Sequence, residues 1–112
     1  MNYIDTHSHL PFKDFDEDRD AIISEMKEKG TITITIGTDY EESKKAVALA
    51  EKHDNIYASV GLHPADNADE VFDYDKYLEL TKHPKVVAIG ECGVDYFHKG
   101  KNKEEQINIF KE

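Results

Sequence analysis

Thr31-Ile32-Thr33-Ile34-Thr35-Ile36 alternates strictly and is β-branched at every position, the pattern of a half-buried strand. Ser43, Ala46, Val47 and Ala50 follow at helical spacing, within a helix expected over residues 41–53. The same order recurs on both sides. Tyr3 to Thr6 reads as a short strand, and the acidic run from Asp14 to Asp20 starts a helix that stops at Gly30. Acids in a first turn and glycine beyond the last are the expected start and stop chemistry. Residues 56–62 give a third strand, and Tyr74, Tyr77, Leu78 and Thr81 mark a third helix stopped by His83-Pro84. Val86 to Ile89 is the fourth strand, and Asn102 caps a fourth helix containing Ile107 and Phe110. Strands alternating with helices of this length dictate right-handed βαβ units on a parallel sheet.

Four such units in 112 residues are close to half of a closed eight-unit barrel, which takes about 250 residues. The expected architecture is therefore α/β, of TIM-barrel type, with residues 1–112 as a half barrel that ends within its fourth helix. An open half leaves the first and fourth strands with unpaired backbone groups. The chain is then a truncated copy, a subunit that completes itself by pairing as a homodimer or with a complementary half, or a smaller open sheet.

Charge narrows the partners. With 24 acids against 14 bases the net charge is −10, which repels polyanions and membrane surfaces. Nucleic-acid binding must then depend on metal and on local basic groups. No apolar run approaches the roughly 20 residues of a membrane span, and Met1 to Asp5 lacks the features of a signal peptide. Cys92 is the single cysteine, so no internal disulfide forms and a reducing cytoplasm is the natural compartment.

The chemistry-bearing residues lie just beyond strand ends, where parallel α/β folds place their sites. His7 and His9 share a side with Asp5 in an extended strand. Two imidazoles at that spacing form half of a divalent-metal site, or else they are two surface histidines beside a turn. Glu91, in Gly90-Glu91-Cys92-Gly93, is a second ligand candidate, or a salt-bridging acid. His63, in Gly61-Leu62-His63-Pro64, could bind phosphate, position water or donate a proton; the alternative is a histidine hydrogen-bonded within its loop. His53 and His83 follow helices and read as structural, and His98 lies in the loop on the expected site face. Lys101, within Lys99-Gly100-Lys101-Asn102-Lys103, could hold substrate phosphate or simply be solvated. Tyr96 and Phe97 could stack a base or be buried under the loop. Cys92 is expected in the core, pointing away from Glu91.

Taken together, Ile4-Asp5-Thr6-His7-Ser8-His9-Leu10, Gly37-Thr38-Asp39, Gly61-Leu62-His63-Pro64 and Gly90-Glu91-Cys92-Gly93-Val94-Asp95-Tyr96 resemble the TatD family of metal-dependent deoxyribonucleases. Gln106 and Phe110 fit the start of that family's next helix. The resemblance implies an amidohydrolase-like TIM barrel that cleaves phosphodiester bonds, as a 3′–5′ exonuclease on single-stranded DNA. It also implies a two-metal site using magnesium, manganese or zinc. Carried over, His7, His9 and Glu91 are metal ligands, with Glu91 shared between two ions and His63 beside the substrate. Two more histidines and an aspartate come, in the family, from a second half that these 112 residues do not contain. A phosphoesterase of the polymerase-and-histidinol-phosphatase type is a weaker match.

Overall fold

The computed structural model describes residues 3–66 and 68–112. Met1 and Asn2, part of the segment read above for signal-peptide features, lie outside the described residues, as does Asn67. The elements run β1 (Tyr3–Ser8), a 3₁₀ turn (Lys13–Phe15), α1 (Arg19–Glu28), β2 (Thr31–Ile36), α2 (Tyr40–Lys52), β3 (Ile56–Val60), α3 (Tyr74–Thr81), β4 (Val86–Ile89) and α4 (Lys103–Lys111). The four strands pair in parallel in the order β1-β2-β3-β4, as successive βα units require.

Local chemistry sets the boundaries. Asp39, Asp73 and Asn102 cap α2, α3 and α4, each side chain accepting the backbone N–H three residues on. The first helix begins later than its acids suggest, at Arg19. Arg19, the chain's only arginine, sends its guanidinium back to the carbonyls of Leu10 (2.6 Å), Pro11 (3.1 Å) and Phe12 (2.9 Å), and to Asp16 (2.6 Å). That clamp folds the segment before α1 into tight turns. The third strand ends at Val60 rather than at residue 62. Beyond it, Ser43 Oγ accepts the Gly61 N–H (3.2 Å), in place of a neighbouring strand.

The core lies between the helices and one face of the sheet. Leu10, Ile23, Ala46, Ala50, Ile56 and Ala58 form it, with Met26, Val47, Leu49 and Val86 packed alongside. Register then assigns the faces of β2. Thr33 pairs with Ile56 and Thr35 with Ala58, and paired residues share a face, so the threonines are the side covered by helices. Both are fully buried, and Thr33 Oγ1 donates to Ser8 Oγ at 2.8 Å. The opposite face carries Ile32, paired with Ile4, and Ile34, paired with Tyr57. On this face Ile4 is 65% exposed, and Ile32 and Ile34 are partly exposed.

At the opposite end of the sheet from the strand C-termini, Lys85 joins two loops. Its Nζ donates to the carbonyls of His53 (3.1 Å), Asp54 (2.9 Å) and Ile56 (2.9 Å) and sits 4.2 Å from the Tyr57 ring centroid. Replacing Lys85 with Met keeps the stem but leaves these carbonyls without their cation. The expected cost is about 2–3 kcal/mol, read as a lowered thermal midpoint; an unchanged midpoint would show that water replaces the ammonium fully.

Candidate metal centre at the strand ends

The C-terminal ends of β1 and β4, the two outer strands, converge on one point. One extra residue on β1 between Asp5 and Ser8, relative to Thr33 and Thr35 on β2, interrupts the regular ladder there. The two imidazoles nonetheless meet, His7 Nε2 lying 3.2 Å from His9 Nε2. Glu91 Oε1 lies 2.8 Å from His7 Nε2 and 3.9 Å from His9 Nε2. Among the described residues, His7, His9 and Glu91 form the one group whose donor atoms all lie within 4.8 Å of one another. Asp5 stands behind it, its Oδ1 accepting the His7 N–H at 3.0 Å.

The donor set fits a cation. His9 Nδ1 faces the Ile36 carbonyl at 3.1 Å and must donate to it, which leaves a lone pair on Nε2. That lone pair points at a second imidazole nitrogen and a carboxylate, an arrangement a cation relieves. Nitrogen ligands about 2.1 Å from a shared zinc stand roughly 3–3.5 Å apart, which matches the 3.2 Å between the histidines. The His9 ring is further held by stacking on Phe12, centroids 4.6 Å apart, so the Arg19 clamp supports the site from behind.

The main chain leaving β2 holds the rest. Three successive carbonyls serve three site residues: Ile36 takes the His9 ring, Gly37 the Glu91 N–H (3.1 Å) and Thr38 the His63 N–H (2.8 Å). On the other side, Gly90 N donates to the Val60 carbonyl (2.9 Å) and Ser59 Oγ to the Gly90 carbonyl (3.0 Å). His63 is thereby brought beside the three, its Nε2 3.7 Å from Glu91 Oε2.

The β4–α4 loop forms one wall. His63, Glu91, Val94, Asp95, Tyr96 and Phe97 border an open cleft of about 620 Å³. Gln106, only 4% exposed, pins this loop: its Oε1 accepts Asp95 N (2.7 Å), and its Nε2 donates to the carbonyls of Asp95 (3.0 Å) and Lys101 (2.7 Å). The Asp95 carboxylate accepts from His98 N and Phe97 N and pairs with the His98 ring at 2.7 Å. These hydrogen bonds, those of His98 foremost, pull its acidity to about 2. The loop thus presents Tyr96 exposed, with Lys103 4.7 Å over its ring, and Phe97 91% exposed.

Two expectations end elsewhere. Lys101, expected to face phosphate or solvent, is engaged by the protein itself. Its side chain is 7% exposed, with Nζ donating to the Ala68 carbonyl (2.6 Å) and 3.6 Å from Glu105; protein groups occupy the ammonium that would have faced phosphate. Cys92 is exposed rather than in the core, because β4 stops at Ile89 and strand alternation no longer sets its direction. It borders both the cleft and a second, apolar cavity of about 360 Å³ lined by Phe72, Tyr77 and Phe110. Arg19 is the supporting residue that sequence patterns missed, a lone arginine being the available signal; Gln106 fits a helix start in the sequence, but its bonds to the loop were not foreseen.

The family model described as TatD related DNase matches residues 4–112. The metal-dependent hydrolase YabD of Bacillus subtilis is 37% identical over 109 residues, covering 96% of this chain and 43% of that protein. The 3′-5′ ssDNA/RNA exonuclease TatD of Escherichia coli K12 is 33% identical, covering 91% of this chain and 40% of that protein. The crystal structure of YjjV, a TatD homologue from E. coli K12, superposes with a TM-score of 0.78 at 32% identity, over 97% of this chain and 44% of that one. The four βα units are thus an α/β half barrel, and the chain spans less than half the length of these relatives.

Proposed function

The chain belongs to the TatD-related DNase family, and from that membership we propose that the whole protein is a metal-dependent phosphodiesterase, a 3′–5′ exonuclease on single-stranded DNA. The convergence of His7, His9 and Glu91 from β1 and β4 carries this reading. Residues 1–112 would be the N-terminal half of the barrel, closed by the remainder of a longer protein. The partly exposed Ile4, Ile32 and Ile34 face then becomes interior. No helix among the described residues is long and apolar enough to cross a membrane, and the single cysteine in these 112 residues supports a cytoplasmic location.

In this proposal His7, His9 and Glu91 hold the cation, magnesium, manganese or zinc. When bound, the cation supplies Lewis acidity toward the phosphoryl oxygens and offsets the chain's net charge of −10. Glu91 turns Oε1 to the histidine pair and Oε2 toward His63, a disposition that suits a carboxylate shared between two ions. His63 contacts the phosphate, and Tyr96 stacks a base at the cleft wall. Lys101 supports the loop that carries Tyr96.

The test is digestion of a 5′-labelled single-stranded oligonucleotide by the full-length protein with each metal. The expected result is a ladder shortening from the 3′ end that chelation abolishes. An intact oligonucleotide with all three metals would refute the nuclease assignment.

A further inference from the structure

His9 and His63 both aim Nε2 into the site, yet the backbone holds them in opposite tautomers. His9 Nδ1 faces a carbonyl, so its proton is on the far side and Nε2 is free to ligate. His63 Nδ1 instead faces two backbone donors, the N–H groups of Ala65 (3.1 Å) and Asp66 (3.0 Å). Pro64 has no N–H, so the first two amides after it both turn onto the ring. A proton on Nδ1 would bring three donors together. Asp66 Oδ1, at 3.5 Å, lies beyond good hydrogen-bond range and does not compensate.

We infer that His63 is a fixed hydrogen-bond donor, its one proton held on Nε2 by the Ala65 and Asp66 amides, aimed at a phosphate oxygen and unable to serve as metal ligand or proton acceptor. An Nε2 that carries hydrogen has no lone pair for a cation. A ring that is neutral in this tautomer gives up no proton either, so its contribution is a preorganised dipole toward developing negative charge. The geometry keeps the donor in place without substrate. The ring is 25% exposed, the backbone N–H of His63 is fixed on the Thr38 carbonyl, and Nε2 lies 3.7 Å from Glu91 Oε2. The identity of the oxyanion as a phosphodiester rests on the function proposed above; the tautomer does not.

Two measurements on the full-length protein separate these. First, a long-range ¹H–¹⁵N spectrum of the magnesium-loaded protein, with His63 identified by loss of its signals in His63→Asn, reads the tautomer without substrate. Protonated Nε2 with bare Nδ1 is expected; the opposite tautomer overturns the inference. Second, metal content and oligonucleotide turnover are compared in two variants. His63→Asn can keep an acceptor near Ala65 and Asp66 but withdraws the donor, whereas His63→Gln reaches the Nε2 position with an N–H. Both should retain wild-type metal stoichiometry. Turnover should fall about 10²-fold or more in the Asn variant and recover to within roughly tenfold of wild type in the Gln variant. Lost metal in either variant, or equal loss of turnover in both, overturns the donor role. A wild-type protein that leaves DNA intact but shows the Nε2-protonated ring would sink the nuclease reading alone.

Discussion

Glu91→Ala in the full-length protein is expected to lower oligonucleotide cleavage on the order of 10³-fold or more and to reduce bound metal in the same step. Among the described residues the carboxylate is the one anionic donor grouped with both imidazoles, at 2.8 and 3.9 Å. Without it a divalent cation faces two neutral nitrogens in an open site. The fold should persist, because the Glu91 N–H stays on the Gly37 carbonyl and the side chain is not in the core. A variant with an unaltered melting curve, no bound metal and no cleavage is the expected combination. Cleavage that survives the substitution removes Glu91 from the site.

The second large effect lies in a residue without a side chain. A Cβ on Gly61 would stand 2.8 Å from the carbonyl carbon of Gly90 and 2.9 Å from the carbonyl oxygens of Gly90 and Glu91. The backbone bearing the central carboxylate would have to move. Gly61→Ala is expected to cost about 2–3 kcal/mol of stability and, by displacing Glu91 by a fraction of an ångström or more, about 10²-fold in kcat. Gly90→Ala is the contrast, since its added carbon meets only Ser59 Oγ at 3.5 Å. Calorimetry and turnover on the same pair of variants check both numbers. Equal behaviour of the two would mean that the close approach of residues 61 and 90 is relieved cheaply.

Much of this architecture is readable from the chain. The Thr31–Ile36 alternation announces a strand, Asn102 announces a helix start, and Val86–Ile89 is a strand with the expected bounds. His7, His9 and Glu91 could be singled out as candidates because they lie at strand ends, where parallel α/β folds place their sites. What could not be read depends on partners distant in sequence. Alternation gives β2 two faces but does not say which one meets the helices, and the buried face proved to be threonine because Ser8 offers its hydroxyl there. The late start of α1 depends on where one guanidinium folds back. Lys101 sits in a basic cluster, and only the position of the Ala68 carbonyl shows that its charge is spent on the protein itself.

The carbonyls of Ile36, Gly37 and Thr38 hold His9, Glu91 and His63 in turn, and a carbonyl is common to all twenty residue types. Point substitution at these three positions therefore leaves the anchors themselves in place, and its cost is set by side-chain fit: Ile36 and Thr38 are buried, and Gly37 is hard against Ser43. Deleting or inserting a single residue in the same stretch has the opposite outcome. It slides all three supports past their clients together, and the site fails as a unit.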